Sequence, residues 1–236
     1  MDNLYIVMPA YNEETNIESV IEEWYPILEG KENSKLIIAD SGSTDSTHDI
    51  LVYLQKKYDR LVVISDSAKE HGPKLIALYK YAIKEGADYI FQTDSDGQTS
   101  PYEFDQFWKQ RKEYDAIIGQ RPNRGDGVAR KYVEKVVCIL LNIFFRVTVS
   151  DANAPFRLMR SDLVEKYIYR IPNEYNIPNI MLTTYFCYYK ENVNFKDITF
   201  AARRSGKNSI NLAKICKIGW KALHDFAMFR KEMFKG

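Results

Sequence analysis

The segment that decides the fold reads Tyr89-Ile90-Phe91-Gln92-Thr93-Asp94-Ser95-Asp96-Gly97-Gln98. Its first half, Tyr89–Thr93, is a short apolar run with the composition of a buried β-strand, and its second half is a polar turn. Polar turns that directly follow buried strands are typical of the carboxyl edge of an α/β sheet, where such proteins bind ligands. The segment therefore predicts a strand with a functional site at its end.

Three more apolar runs precede this segment, and amphipathic stretches of helical period separate them. The runs lie at Leu4–Met8, Leu36–Ala39 and Leu61–Ile64. Crossovers of this length imply parallel pairing, with helices covering both faces of the sheet. The sequence therefore predicts the α/β class, with a mostly parallel sheet flanked by helices.

The second half of the chain continues with strand and helix patterns. A fifth run, Ala116–Gly119, leads into a Gly- and Arg-rich stretch, Gln120–Gly127, which we interpret as a mobile loop over the ligand. The other expected elements are a loop or short strand at Asp151–Leu158, a strand at Asn194–Ala201, and helices at Val128–Phe145, Ser161–Arg170, Asn179–Glu191 and Ser209–Phe234. We predict a main domain over residues 1–208 and a helical C-terminal extension over 209–236.

The composition is that of a globular protein with a sizeable core. Of 236 residues, 45% are hydrophobic and 28% are charged, which excludes a disordered chain and a disulfide-stapled peptide. The three cysteines lack disulfide-framework or zinc spacing, and the N-terminus lacks a secretory pattern. The longest apolar run, Val136–Phe145, is shorter than the ~20 residues that span a bilayer. These features predict a cytoplasmic protein.

Charge is distributed unevenly along the chain. From Arg203 to Gly236 there are nine basic and two acidic residues, so this segment carries +7 and residues 1–202 carry −6. The basic segment alone would permit a non-enzymatic protein that binds nucleic acid or a membrane surface. The acids that follow the predicted strands instead favour an enzyme, and we expect no nucleic-acid partner.

Polar segments follow three predicted strands, at Pro9–Glu14, Asp40–Asp45 and Asp94–Gln98. We expect them to converge, because the carboxyl ends of parallel strands meet at one edge. Asp94 and Asp96 can aim two carboxylates at one hard cation, with Gln98 adding a neutral oxygen. The sequence therefore predicts Mg²⁺ or Mn²⁺ bridging a diphosphate.

Other interpretations of the acidic turn fit less well. An EF-hand loop from Asp94 would need glycine and glutamate where Thr99 and Asp105 stand. An aspartyl-phosphate phosphatase would carry its nucleophile after the first strand, so this class stays a remote alternative. A solvated Asp-Gly turn is the structural alternative. The usual glycine motifs of dinucleotide and P-loop sites are absent from the sequence.

Taken together, the motifs resemble the family 2 glycosyltransferases of the GT-A fold, within them the branch of polyprenyl-phosphate sugar transferases. The resemblance rests on segments that occur in family order: Ile6–Glu14, Ile37–Asp45, Asp94–Gln98, Gly119–Arg121, Asp151–Arg157 and Arg203–Ser209. It implies a metal-dependent, inverting transfer of a sugar from a UDP- or GDP-sugar to a polyprenyl phosphate or a surface-glycan precursor.

The resemblance also implies the residues of the donor site. These are Pro9, Ala10, Tyr11, Glu13, Asp40, Ser41, Asp94, Ser95, Asp96, Arg121 and Arg203, with Asp94, Asp96 and Gln98 as metal ligands. Arg121 and Arg203 match arginines that face phosphates, a role that suits a guanidinium. A sugar nucleotidyltransferase is the rival enzyme class, but it would carry a Gly-rich, basic loop after the first strand.

Arg121 and Asp151 are the candidate catalytic residues. A sugar hydroxyl acceptor would need Asp151 as a general base, whereas a phosphate acceptor is already ionised and Asp151 would then position it or Arg157. A turn-capping aspartate is the structural alternative. Lys74 is interpreted as a solvated lysine that could reach a donor phosphate. The three histidines, His48, His71 and His224, have no telling partner in the sequence and receive no catalytic role.

The C-terminal segment has an apolar stripe and a basic flank at helical spacing. The stripe comprises Ile215, Ile218, Ala222, Phe226, Phe229 and Met233, and the flank comprises Lys214, Lys217 and Lys221. This pattern is typical of a helix that lies in a membrane interface, although packing on the domain is the commoner role of such a stripe. Because the resemblance implies a lipid-linked acceptor, we predict peripheral association with the anionic inner face of the plasma membrane.

Overall fold

The computed structural model describes residues 2–122, 128–201 and 212–234, with the helical backbone alone at 128–131 and 212–221. Within these residues a seven-stranded sheet is flanked by eight α-helices. The elements are β1 (Leu4–Ala10), α1 (Ile17–Trp24), β2 (Lys35–Asp40), α2 (Thr47–Lys57), β3 (Leu61–Ile64), α3 (His71–Lys84), β4 (Tyr89–Gln92), α4 (Phe104–Lys109), β5 (Ala116–Gln120), α5 (Val128–Phe145), β6 (Arg157–Arg160), α6 (Ser161–Ile168), α7 (Pro178–Tyr188), β7 (Val193–Asp197) and α8 (Leu212–Met233).

The strand order is β3-β2-β1-β4-β6-β5-β7. The four strands predicted first pair in parallel, which confirms the α/β class. β6 runs antiparallel between β4 and β5, and β7 pairs in parallel with β5. The stretch predicted as a loop or short strand at Asp151–Leu158 is a loop followed by the start of β6. This central antiparallel strand carries an arginine at each end, so it lacked the apolar signal of its neighbours.

Both faces of the sheet are covered by helices. Side chains of β1 alternate between them: Tyr5 and Val7 join the core under α3, α5, α6, α7 and α8, while Leu4 and Ile6 join the core under α1, α2 and α4. Burial on both faces explains why the strands read as nearly continuous apolar runs. Because helices cover both faces of the sheet, the place where a ligand-binding site can form is at the polar ends of the strands.

Helix α8 uses its apolar stripe to pack on the domain. Ala222, Phe226, Phe229 and Met233 are each at most 5% exposed. Phe226 packs against the ring of Phe145 on α5, with the ring centroids 5.8 Å apart. The prediction that this stripe faces a membrane is therefore wrong for residues 222–233.

The error has a physical cause, since an apolar stripe has the same spacing whether it covers protein or lipid. The side chains of Ile215, Ile218, Lys214, Lys217 and Lys221 lie outside the described residues. Among the described residues, no helix has the length and hydropathy needed to cross a membrane.

Candidate active site

The polar segments after β1, β2 and β4 meet at one edge of the sheet, as predicted. The backbone N–H of Asn12 donates to Oγ of Ser43 at 3.0 Å, which joins the first two segments. The hydroxyl of Ser95 donates to the carbonyl of Pro9 at 2.8 Å, which joins the first and third. The three loops therefore form one continuous surface at the carboxyl ends of these strands.

Two buried acids lie in this surface. Asp40 accepts a hydrogen bond from the Ser43 hydroxyl at 2.5 Å, and its other oxygen lies 3.2 Å from Nδ1 of His48. Glu13 accepts from Nδ2 of Asn16 at 2.7 Å. The fold thus brings His48 to an acid eight positions away in sequence, a pairing that spacing alone did not reveal.

Ser41 connects the Asp40–Asp45 loop to the segment after β3. Its hydroxyl donates to the carbonyl of Ser65 at 2.8 Å and accepts from the backbone N–H of Ser67 at 3.1 Å. These bonds tie the end of β2 to the residues that follow β3. Ser41 therefore fixes the shape of the loop beside Asp40.

Lys74 is a buried cation at the same edge. Only 1% of the residue is exposed, and its ammonium donates to the carbonyl of Ala10 at 2.5 Å. It also lies 5.3 Å from the ring centroid of Tyr11. Burial lowers the pKa of Lys74 to about 8, while the nearby carboxylate of Asp40 opposes this shift. The interpretation of Lys74 as solvated is wrong, because the first turn of α3 lies beneath the end of β1.

The turn after β4 has the geometry of an acidic pair on one loop. Asp94 and Asp96 are partly exposed, whereas Ser95 between them is buried. Gly97 has φ +72°, a conformation that favours glycine and lets the chain reverse directly after Asp96. Oδ1 of Asp94 lies 3.4 Å from Nε2 of His71, a second histidine–acid contact missed in the sequence.

The oxygen atoms of this turn suit a hard divalent cation that is also coordinated by a bound substrate. Among the described residues there is no group of three or more His, Cys, Asp and Glu side chains that could hold a metal ion. Mg²⁺ is commonly bound through one or two carboxylates together with substrate phosphates, and Asp94 with Asp96 supplies that pair. Gln98 is buried, and its side-chain nitrogen donates to the carbonyl of Ala201 at 2.7 Å.

A buried polar network lies beneath the acidic turn. Oε1 of Gln92 accepts from the Tyr79 hydroxyl at 3.2 Å and from Nδ2 of Asn179 at 3.0 Å. Arg157 is fully buried and donates to the carbonyls of Ala154 at 2.6 Å and Asn179 at 3.2 Å. Burial lowers the pKa of Arg157. Its bonds to main-chain carbonyls hold the loop that carries Asp151.

The two candidate catalytic residues lie in direct contact. Nε of Arg121 donates to Oδ2 of Asp151 at 2.7 Å, and Nη2 donates to Oδ1 at 2.9 Å. Both residues are buried, and the guanidinium lies 4.8 Å from the ring centroid of Phe200. Asp151 therefore engages Arg121 rather than Arg157. Their separation of thirty positions in sequence gave no signal of this pairing.

Two predicted parts of the site fall outside the described residues. Arg203 is one, and the predicted mobile loop Gln120–Gly127 leaves the described range after Pro122. The roles predicted for them stay predictions.

Residues 5–168 of this chain match the sequence model of the protein family Glycosyl transferase family 2. An undecaprenyl-phosphate 4-deoxy-4-formamido-L-arabinose transferase of Pectobacterium carotovorum subsp. carotovorum is 22% identical over 227 residues, covering 94% of this chain and 66% of that protein. A poly(ribitol-phosphate) beta-glucosyltransferase of Bacillus spizizenii is 36% identical over 91 residues, 39% of this chain and 14% of that protein. The chain thus covers less than two thirds of either relative.

The fold also resembles a solved structure. This structure is glucosyl-3-phosphoglycerate synthase from Mycobacterium tuberculosis in complex with Mn²⁺, UDP-glucose and phosphoglyceric acid. The alignment covers 97% of this chain and 79% of the synthase chain. The TM-score is 0.71 at 17% identity, so the likeness supports the GT-A fold alone. The family match favours a glycosyltransferase over the rival nucleotidyltransferase and over a charge-driven binding protein. The chain belongs to glycosyl transferase family 2.

Proposed function

We propose that this enzyme moves a sugar from a nucleoside diphosphate sugar to a lipid phosphate, with a divalent cation and inversion at the anomeric carbon. The observation that carries the proposal is the buried Arg121–Asp151 pair, which presents a fixed guanidinium near the acidic turn. Phe200 links the two features: Arg121 lies over its ring, and the next residue, Ala201, accepts a hydrogen bond from Gln98. A phosphate-binding group and a cation site would thus share one surface.

The donor nucleotide would bind over the ends of β1 and β2. The buried carboxylates of Asp40 and Glu13 suit the hydroxyls of a ribose and the N–H groups of a base. Pro9, Ala10, Tyr11 and Ser41 would form the rest of this donor site. Lys74 adds a buried positive charge beneath Tyr11.

The diphosphate of the donor would lie over the acidic turn. Asp94 and Asp96 would hold Mg²⁺ or Mn²⁺, which when bound offsets charge that develops on the leaving diphosphate. Gln98 would contribute its remaining amide oxygen, and Ser95 would keep the turn attached to the end of β1. The Mn²⁺ and UDP-glucose in the mycobacterial structure support this choice of donor and ion.

The acceptor side favours a phosphate over a sugar hydroxyl. Both carboxylate oxygens of Asp151 accept hydrogen bonds from Arg121, so Asp151 serves as the group that orients Arg121 rather than as a base. An ionised phosphate needs no base and would accept hydrogen bonds from that guanidinium and from Arg203. Attack by the phosphate oxygen opposite the leaving diphosphate gives inversion. The undecaprenyl-phosphate relative supports this acceptor class.

The proposal is tested in two steps. Thermal unfolding is first measured with UDP-, GDP- and dTDP-sugars, with and without Mn²⁺, because a ligand at 100 times its Kd stabilises by ~2.7 kcal/mol. The stabilising donor is then incubated with a short-chain, water-soluble polyprenyl phosphate, and the anomeric configuration of the product is read by NMR. Transfer to oligosaccharides but not to this phosphate would overturn the acceptor assignment.

A further inference from the structure

Helix α5 carries a stripe of exposed apolar side chains. The α5 stripe consists of Tyr132, Val136, Ile139 and Ile143, which are 67%, 55%, 52% and 61% exposed. At 100° per residue these four positions lie within about 60° of arc, so they form one narrow line roughly 16 Å long. The four large apolar side chains thus form one continuous line on an exposed helix face.

The α5 stripe lies on the side of α5 that faces away from the loop carrying Asp151, called here the acceptor loop. The opposite face of α5 packs in the core through Leu141 and Phe145, both at most 1% exposed. The carboxylate of Glu134, on the same turn as Tyr132 and Val136, accepts a hydrogen bond from the backbone N–H of Ala152 at 2.9 Å. Ala152 follows Asp151 directly. One helix thus separates the proposed acceptor site from the stripe.

The charges beside the stripe suit an anionic partner. Lys135 and Arg146 are exposed at its side and at the end of the helix. The one acid in the sequence of α5 is Glu134, whose carboxylate is turned to the acceptor loop. Apolar residues with a cationic border are typical of helices that lie in the headgroup region of anionic membranes.

The size of the stripe disfavours a second copy of the chain as its occupant. A helix face about 16 Å long and ~10 Å wide covers roughly 160 Å², whereas a stable dimer buries about 800 Å² per partner. A bilayer has no such requirement, because a few side chains inserted among lipid chains suffice when basic residues add attraction.

We propose that α5 docks on the anionic membrane that holds the lipid-phosphate acceptor, with the stripe among the acyl chains and Lys135 and Arg146 at the headgroups. The choice of membrane rests on the proposed function, since the lipid acceptor must be reached from a bilayer surface. The surface differs from the one that the sequence predicted, because the stripe of α8 is buried over residues 222–233.

The test is co-sedimentation of the full chain with vesicles of phosphatidylcholine and phosphatidylglycerol in equal parts. Ile139→Ser combined with Ile143→Ser should lower the partition coefficient at least tenfold, since each loses an apolar side chain from the lipid. The matched control is Val52→Ser with Tyr53→Ser, two exposed residues of α2, which should change it less than twofold. Lys135→Gln with Arg146→Asn should weaken binding and reduce its sensitivity to salt; asparagine tolerates the φ of +57° at position 146.

The proposal is overturned if the wild type stays in the supernatant at low salt, or if the Ile139/Ile143 variant sediments as the wild type does. It is also overturned if light scattering finds a wild-type dimer that this variant converts to a monomer, since a second copy then covers the stripe. Transfer to the short-chain phosphate, assayed without vesicles, tests the proposed function separately. Its failure alongside stripe-dependent vesicle binding would remove the acceptor assignment and leave the docking surface standing.

Discussion

Buried Arg121 binds the carboxylate of buried Asp151 through two hydrogen bonds of 2.7 and 2.9 Å, one to each carboxylate oxygen. A third contact comes from the backbone N–H of Arg121, 3.3 Å from Oδ2. A bidentate pair of this kind fixes the plane of the guanidinium. We therefore regard Asp151 as a positioning residue for Arg121. A positioning residue and a general base predict different kinetics for an Asp151 variant.

Asp151→Asn should lower kcat/KM for a lipid-phosphate acceptor by about 100-fold, because an uncharged amide holds the guanidinium poorly and misplaced groups cost on this order. The Kd for the donor nucleotide should change less than about threefold, since the donor contacts are made elsewhere on the edge. The pH dependence of kcat/KM should keep its shape. The measurements are steady-state kinetics across pH and calorimetry with the nucleotide.

Arg121→Lys is the companion variant and should show a similar loss, because an ammonium cannot reproduce the bidentate contact. The two changes combined should cost less than the sum of each alone. Loss of one limb of the pH profile in Asp151→Asn, with Arg121→Lys near normal, would show Asp151 to be a general base.

Lys74 should make stability depend on pH in a defined direction. Its folded-state pKa of about 8 lies below the ordinary 10.5, so the unfolded chain binds more protons between these values. The cost of burying the charged ammonium is therefore full below pH 8 and is relieved as pH rises toward 10.5. The free energy of unfolding of the wild type, relative to Lys74→Met, should rise from pH 7 to pH 10. Urea titrations of both proteins at the two pH values measure it, and an unchanged difference would count against a buried, charged lysine.

Gly72 should be intolerant of a side chain. A Cβ at this position would lie 2.3 Å from the carbonyl oxygen of Tyr175 and 2.4 Å from the carbonyl carbon of Asn176. Because these are backbone atoms, α3 must shift, and Gly72→Ala should lower the free energy of unfolding by about 3 kcal/mol. The shift would also move Lys74 on the same turn, so the affinity for the nucleotide should fall.

Gly86→Asn is the control for this position. Nothing lies within 4 Å of a Cβ at Gly86, and asparagine tolerates its φ of +83°. This variant should lose less than about 1 kcal/mol by chemical denaturation. Equal stability of Gly72→Ala and the wild type would mean that α3 does not approach the Tyr175 segment this closely.

The parts of the fold that follow from local pattern were predictable. Apolar runs located β1 to β5, and helical period located α5 within its observed bounds, because both signals are carried by neighbouring residues. The convergence of Pro9–Glu14, Asp40–Asp45 and Asp94–Gln98 also followed, since parallel strands leave their carboxyl ends on one edge.

The remainder depends on contacts between distant residues. Nothing near Arg121 in sequence indicates Asp151 as its partner, and nothing near Asp94 indicates His71. The burial of Lys74 depends on how closely α3 packs beneath β1. Gly72 allows this close packing, but a glycine at that position does not by itself predict it. For the same reason the apolar stripe of α8 could not be assigned to protein or lipid before its partners Phe144 and Phe145 were seen.

The central claim is that Asp94 and Asp96 bind the donor diphosphate through a divalent cation. Calorimetry with UDP and GDP, with and without Mn²⁺, measures it in the wild type, in Asp96→Asn and in the control Asp105→Asn, an exposed acid of α4. We expect Mn²⁺ to raise the wild-type affinity for the preferred nucleotide, Asp96→Asn to abolish that gain, and Asp105→Asn to preserve it. Undiminished, Mn²⁺-dependent nucleotide affinity in Asp96→Asn would contradict the account.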